Sequence, residues 1–451
     1  MTEILALLQN IAPLFEPTTF RQMSHVIFGM LVISGRITML GLSRWTEKGG
    51  SYRTIQRFFY ESLPWKTIQW LFFQKRILKR EDEYVIFGDE VVVSKAGKKT
   101  YGVDYFFSGL QQQVIPSLSL FVLSLANTKE ERSYPMQVTQ IVKTAEEKAT
   151  SKAKAEAKKV KKPAEKRKPG RPKGSKNQEK QAVELSPELL RIQAALKSLL
   201  ETVGATIQLT YLVMDGHFGN YPSAFMARGM DLHLISKLRS DAALYSAFLG
   251  KHPGPGPKPK YGEKIDVRKL DEKYRKESSV DKEQMRQEVY QRQLHNKEFV
   301  FALNVVILVK TNLKTQAQAH IILFSTDLEL SYEKIIKLYT MRFKIEFNFR
   351  DAKQYWGLED FMNIKETAVT NAVNLSFFMV NFSSVLSQPF RDQNPDYSIL
   401  DLKSSYRGRR YVSEIIKMLP KKPDGILLAD IFEQIAQMGA IHPSLQPADS
   451  P

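Results

Sequence analysis

The sequence predicts an α/β fold, a largely buried sheet flanked by N- and C-terminal helical regions. Three observations predict it. Apolar, β-rich runs recur at residues 84–93 (YVIFGDEVVV), 118–125 (LSLFVLSL) and 207–215 (IQLTYLVMD), short and rich in branched residues, as in strands of a buried sheet. A helix-period segment at 187–203 separates the second run from the third. Helical patterning dominates both ends of the chain, residues 1–80 and 366–451.

Taken in order, Thr2 can cap a helix carrying Ile4, Leu5, Leu8 and Ile11, which Pro13 ends. An apolar-rich stretch covers 20–42. Residues 47–50 read as a turn, Ser51 as the N-cap of a helix over 52–60, and 65–78 as a further helix carrying Trp70, Phe72, Phe73 and Ile77. Arg53, Arg57, Lys66 and Lys75 make residues 1–80 either a DNA-binding region or an ordinary bundle with a solvated basic face. A turn at 95–101 follows the first strand. Residues 144–186 are dominated by Lys, Ala, Glu and Pro; such a segment cannot bury enough apolar surface to fold alone, so a disordered or partly helical insert is expected there. Order returns with helix 187–203, strand 207–215, a short helix and a strand at 233–237. Residues 249–293 are again rich in Pro, Gly and charge, then 298–310 and 319–324 read as strands, which places a β-rich insertion at 240–325. Ser331 caps a long helix through about residue 356. The expected regions are therefore 1–80, 81–365 and 366–451.

Composition narrows the function. Hydrophobic residues make up 43% of the chain, enough for sizeable cores. Cysteine is absent, which excludes disulfides, zinc–thiolate sites and thiol catalysis and suits a reducing cytoplasm. The opening MTEILALLQN has no basic segment before an apolar one, and the longest apolar runs, 26–34 and 375–386, fall short of the ~18 residues of a membrane span. A cytoplasmic protein without a membrane segment is expected. Net charge is +18, and residues 151–180 alone hold 13 Lys and Arg against 3 Glu, or +10. A large basic protein usually meets a polyanion, here nucleic acid. Most of the excess sits in one insert, so the folded part is only modestly basic.

Three acidic residues stand out by position. Asp89 interrupts a run of Val, Ile and Phe, where a carboxylate is costly unless paired, hydrogen-bonded or bound to metal; a turn Asp at a strand end is the alternative. Asp215 ends an apolar strand at VMDGHFGN, where α/β sheets place ligand groups, and where a helix N-cap also falls. Glu346 alone would be an ordinary surface Glu. Tyr339, Arg342, Glu346 and Lys353 follow one another at steps of 3, 4 and 7, which keeps all four on one face of a helix. Ile336, Phe343, Phe347 and Phe349 supply apolar packing on its other faces. A salt-bridged outer stripe, with Glu346 pairing Arg342 or Arg350, is the competing reading.

The string YTMRFKIEFNFRDAK resembles the Tyr-x2-Arg-x3-Glu-x6-Lys signature of a bacterial insertion-sequence transposase group within the DDE superfamily. FGDEVVVSKAGKKTYG and YLVMDGHFGN resemble its first and second acidic motifs. The resemblance covers about residues 84–360, with two long insertions. It implies a ribonuclease H-like catalytic core, with Asp89, Asp215 and Glu346 as catalytic residues that hold two Mg²⁺ or Mn²⁺ ions. Hard cations take oxygen ligands, and a metal pair can activate the nucleophile and stabilise charge at the phosphate. It implies that water first nicks the strand at the transposon end and that the freed 3′-OH then attacks. Arg342, Lys353 and Tyr339 would contact DNA near the scissile phosphate. The implied partners are double-stranded DNA (terminal inverted repeats and target) and a second copy of the chain when two ends are synapsed; the implied setting is the bacterial nucleoid. Hairpin-forming members stack a flipped base on an aromatic, often Trp, from the insertion. Here all four tryptophans lie outside 216–345, leaving Tyr245, Tyr261, Tyr274, Tyr290 or Phe299.

A second DNA signal is KRKPGRPKGSKN. Lys166, Arg167, Lys168, Gly170, Arg171, Pro172 and Lys173 resemble an AT-hook, in which a slim extended core lets Arg enter a narrow A·T minor groove; a plain basic linker is the alternative. His217, Lys237 and Arg239 are weaker candidates near the second acidic motif. No Gly-rich phosphate loop, dinucleotide fingerprint or nucleophilic triad is present. Two other readings stay open beside the transposase, a catalytically silent DNA-binding protein of transposase descent and a metal nuclease without strand transfer. Glu90 stays open as a replacement for Asp89.

Overall fold

A computed structural model describes residues 2–46, 50–150, 153, 183–251 and 254–442. The AT-hook-like segment, Lys166 to Lys173, lies outside the described residues, as do 47–49 of the expected turn. Among the described residues twelve strands join in one sheet. They are β1 Tyr84–Ser94, β2 Asp104–Ser108, β3 Gln113–Asn127, β4 Arg132–Ile141, β5 Tyr211–Met214, β6 His233–Leu238, β7 Leu244–Ala247, β8 Tyr261–Lys264, β9 Arg275–Val280, β10 Met285–Asn296, β11 Ala302–Asn312 and β12 Gln318–Ser325. Their order is β2-β3-β1-β5-β6-β12-β11-β10-β7-β8, with β4 paired to β3 and β9 to β10. β1 and β3 are antiparallel, whereas β1–β5 and β5–β6 are parallel. β7 to β12 fall within residues 240–325, where a β-rich insertion was expected.

Strand periodicity sorts β1 between two cores. Val85, Phe87, Val91 and Val93 point to one, Tyr84 and Ile86 to the other, as alternation across a strand requires. The first core is covered by helices from both chain ends: α1 Thr2–Leu8, α2 Pro17–Val32, α3 Met39–Trp45, α4 Tyr52–Tyr60 and α5 Trp65–Arg76 at the start. The second is covered by α6 Pro187–Val203 and α7 Tyr221–Arg228. Further along come α8 Tyr332–Met341, α9 Lys344–Gln354, α10 Glu366–Arg391, α11 Ile399–Met418 and α12 Gly425–Gln437.

Helix α10 ties the ends together. Asn371 accepts from Trp65 Nε1 at 2.7 Å and donates to the Phe59 and Glu61 carbonyls, while Asn381 donates to the Pro135 carbonyl of β4. Buried amides with these partners fix one register for the helix. By length and composition α10 could cross a membrane, but 83% of its apolar window is buried inside the protein.

The structure departs from the sequence expectations at four places. Pro13 lies inside a 3₁₀ turn, Gln9–Leu14, rather than ending the first helix. The strand expected over 207–215 begins only at Tyr211. β4 escapes sequence reading because Pro135 interrupts it; the register with β3 shifts between Leu123 and Ser124, beside Pro135, where the chain has no N–H to give the ladder. The long helix after Ser331 is two helices, α8 and α9, joined by a turn at Arg342 and Phe343. Its N–H groups switch to carbonyls three residues back, Ile345 to Arg342 at 3.0 Å and Glu346 to Phe343 at 3.1 Å. That tighter winding replaces the uniform 3.6-residue face assumed for Tyr339, Arg342, Glu346 and Lys353.

A candidate carboxylate site at the β1–β5 edge

The parallel register builds the site. Gly88 of β1 is opposite Met214 of β5, so the next residue on each chain is an acid, Asp89 and Asp215. Asp89 continues the face of Phe87 and Val91, toward α8 and α9; Glu90 takes the opposite face. Glu90 accepts a hydrogen bond from Ser119 Oγ, and burial raises its pKa, with Glu188 of α6 nearby. Strand alternation thus separates the two neighbours, and only Asp89 meets Arg342.

Asp215 leaves β5 as the N-cap of a short 3₁₀ turn, accepting from the His217 N–H at 3.0 Å. Its own carbonyl accepts from Ser236 Oγ at 2.6 Å. The chain then folds tightly over β6: a Cβ on Gly219 would stand 2.0 Å from the Lys237 carbonyl oxygen, so only glycine fits. The N-cap reading and the site reading of Asp215 describe the same residue.

Arg342 stands among the carboxylates. Its Nη1 donates to Asp89 Oδ2 at 2.5 Å and its Nη2 reaches Glu346 Oε1 at 3.3 Å. The Asp89 and Arg342 side chains are only 16% and 15% exposed, against 41% for Glu346. Burial would lower the Arg342 pKa, but Asp89, Tyr339, Glu346 and Asp215 together hold it above its ordinary value. Tyr339 is pushed up by burial and lies beside Arg342, within reach of the charges on Asp215 and Asp89. Burial likewise raises the Asp89 carboxyl to about 6; Arg342 and the Glu90 N–H pull it down, Asp215 and Glu346 push it up again. A salt-bridged Asp with a raised pKa is unusual, and here desolvation wins. Perturbation of this kind in a cluster of like charges marks a functional-site candidate.

Five of the six sequence-selected residues, Asp89, Asp215, Tyr339, Arg342 and Glu346, therefore act on one another. Lys353 stands apart from the carboxylates. Its ammonium donates to the Val92 carbonyl of β1 at 2.8 Å and pairs with Glu359 at 3.4 Å. Lys95, at the end of β1, donates to the Leu358, Glu359 and Phe361 carbonyls, and burial lowers its pKa to about 8. These two lysines clamp the end of α9 and the loop after it to β1, which holds Glu346 opposite Asp89. Lys95 was not singled out by sequence; a lone Lys after a β-run carries no signal.

The donor set suits a hard divalent cation. It is all oxygen, with no imidazole or thiolate, and burial, with Asp215 and Glu346 nearby, raises the Asp89 carboxyl to about 6. Among the described residues no three His, Cys, Asp or Glu are grouped closely enough to share an ion. The group that stands between Asp89 and Glu346 is the Arg342 guanidinium.

Acids at the adjoining ends of neighbouring parallel strands, one of them linked through Arg342 to a third acid on a helix, mark this as an α/β protein with a carboxylate-rich site. A family model for the DDE superfamily endonucleases matches residues 10–298, and the chain belongs to that superfamily. The matched stretch contains Asp89 and Asp215 and ends before Glu346, whose place rests on the geometry above. No curated protein matches the sequence. Among solved structures, a cryo-EM structure of a piggyBac transposase synaptic complex with hairpin DNA is similar at a TM-score of 0.38 and 10% identity, over 97% of this chain and 80% of that one. So slight a likeness carries no functional inference.

Proposed function

We propose that this protein is a DNA transposase of the insertion-sequence type, which binds transposon ends, cleaves phosphodiester bonds and joins the ends to target DNA. One observation carries the reading: Asp89 and Asp215 emerge side by side from parallel strands, and Arg342 links Asp89 to Glu346 across the site. The order β4-β3-β1-β5-β6, with β1 antiparallel to β3 and parallel to β5, supports a ribonuclease H-like core.

In this reading Asp89, Asp215 and Glu346 hold two Mg²⁺ or Mn²⁺ ions. When bound, the ions supply a nucleophilic oxygen and neutralise charge on the phosphate and leaving oxygen. Ionised Asp89 has to be available, and its burial keeps it basic enough to exchange a proton near pH 6. Arg342 holds the carboxylates together in their absence and turns to the scissile phosphate when DNA is present, a use suited to a planar, always charged fork. The Tyr339 hydroxyl and Lys353 steady the backbone on either side. The exposed cations Arg53, Arg57, Lys66 and Lys75 on α4 and α5 contribute sequence-tolerant binding to double-stranded DNA, and the AT-hook-like residues Lys166 to Lys173 add binding in an A·T minor groove. Two copies of the chain would synapse two ends, within the bacterial nucleoid.

The test is an end-joining assay. A duplex carrying the terminal repeat that flanks the gene is incubated with the protein, a supercoiled target and Mg²⁺. Mg²⁺-dependent nicking at the repeat boundary and covalent joining to the target are expected, both abolished by EDTA. Nicking without joining would reduce the protein to a nuclease, and neither reaction would leave a DNA-binding relic.

A further inference from the structure

Phe343 and Phe347 were expected to pack inside the protein. They do not. Phe343 is 52% exposed and Phe347 37%, and their rings meet edge to face at 5.4 Å. They sit at the start of α9, flanking Glu346, so one stripe of the helix reads Phe343, Glu346, Phe347, Arg350. The Arg350 guanidinium lies 4.8 Å from the Phe347 ring centre and the Lys344 ammonium 5.9 Å.

The stripe runs into a cleft of about 260 Å³ between α9, β4 and α10, with Phe347 in its wall. Arg132, Lys344, Arg350 and Arg391 line it against Glu131 and Asp351, an excess of two positive charges. Arg350 already pairs with Asp351 at 3.0 Å. Arg132 donates to Gln388 and Arg391 to the Tyr397 carbonyl, both neutral partners, and Asp351 also acts on the Arg391 charge. Exposed aromatics at the mouth of a cationic cleft suit one ligand chemistry in particular, a single nucleic-acid strand. Any base has a π-face to stack, and the phosphates follow the positive groove.

We infer that Phe343 and Phe347 form a stacking platform for an unpaired base of single-stranded DNA, whose neighbouring phosphates enter the cleft lined by Arg132, Arg350 and Arg391. The inference rests on the DNA-cleaving reading for one point only: the platform flanks Glu346, so the strand it holds is the one next to the cleavage point. The insertion offers less exposed rings. Phe299 is 1% and Tyr290 8% exposed, and Tyr245, Tyr261 and Tyr274 are half-buried.

The test uses the full-length protein in EDTA, so that no cleavage occurs, and a single-stranded oligo-dT bearing one 2-aminopurine. Binding is expected to quench the 2-aminopurine fluorescence through stacking. The F343A/F347A double variant should lose the quenching and bind single strands about tenfold more weakly or worse, with duplex binding changed far less. The F347W variant should keep the quenching, and F343A/F347A should melt within a few degrees of the wild type, since both rings are exposed. Absence of quenching in the wild type, or unchanged quenching in the double variant, overturns the platform. Loss of the platform with cleavage intact would sink only this inference, and a working platform in a protein that never cleaves would sink only the enzymatic reading.

Discussion

Glu346→Gln is expected to lower DNA cleavage by roughly 10³-fold or more, about 4 kcal/mol of transition-state stabilisation, while DNA binding stays within a few-fold. The substitution removes one negative charge from the carboxylate trio and little else. Glutamine keeps an oxygen that can accept from Arg342 Nη2, so the turn at Arg342 and Phe343 and the seat of α9 against β1 should survive. Those are fixed mainly by Lys353 on the Val92 carbonyl and by Lys95 on the loop after α9. DNA affinity comes chiefly from Lys and Arg on phosphates, which the change leaves alone. Glu333→Gln, an exposed acid on α8, is the matched control and should cleave like the wild type. Cleavage by the Glu346→Gln variant at the wild-type rate would remove Glu346 from the chemistry.

Asp89→Asn should abolish cleavage and, without metal, make the protein more stable. The Asp89 carboxyl is raised from an ordinary 3.8 to about 6, because burial outweighs Arg342. Between those two values the folded protein binds a proton that the unfolded chain has lost. Stability therefore falls as pH rises through that window, and it stays reduced above pH 6, where folded Asp89 is ionised as well. Asparagine carries no such charge. In EDTA at pH 7.5 the variant should be more stable by about 3 kcal/mol, from a pKa raised from 3.8 to about 6 at 1.36 kcal/mol per unit, several degrees or less in Tm for a chain of this size. The gain should shrink below pH 6 and vanish near pH 4, where wild-type Asp89 is protonated. Thermal melts from pH 4 to 8 would show it. A lower Tm than the wild type at pH 7.5 would mean that the Asp89–Arg342 pair is net stabilising and that the site is a structural ion pair. A site that costs stability until it is filled is the usual mark of function.

Much of this was legible in the sequence, because local rules set it. Ser51 caps α4 and Pro187 opens α6 where composition placed them. Val, Ile and Phe runs became the central strands. The acids Asp89 and Asp215 were visible because carboxylates at apolar strands are costly. Other features depend on partners far along the chain. The sequence alone left Asp89 and Glu90 interchangeable, and only the β1–β5 register and strand alternation separate them. The 3, 4 and 7 spacing of Tyr339, Arg342, Glu346 and Lys353 reads the same with or without a turn at Arg342, so the break between α8 and α9 was invisible. Phe343 and Phe347 look like core residues by type; their exposure follows from how that turn sets α9 on the sheet. β4 was hidden by Pro135, and β2 by its shortness, with a polar residue at each end.

The central claim is that Asp89, Asp215 and Glu346 converge on divalent metal. Anomalous diffraction from crystals of the protein bound to Mn²⁺ and a terminal-repeat duplex tests it most directly. Manganese peaks about 2.0–2.3 Å from oxygens of all three carboxylates are expected, with Arg342 released from Asp89 and turned toward DNA phosphate. Manganese elsewhere, or an Asp89–Arg342 pair unchanged at 2.5 Å with no metal beside it, would contradict the account.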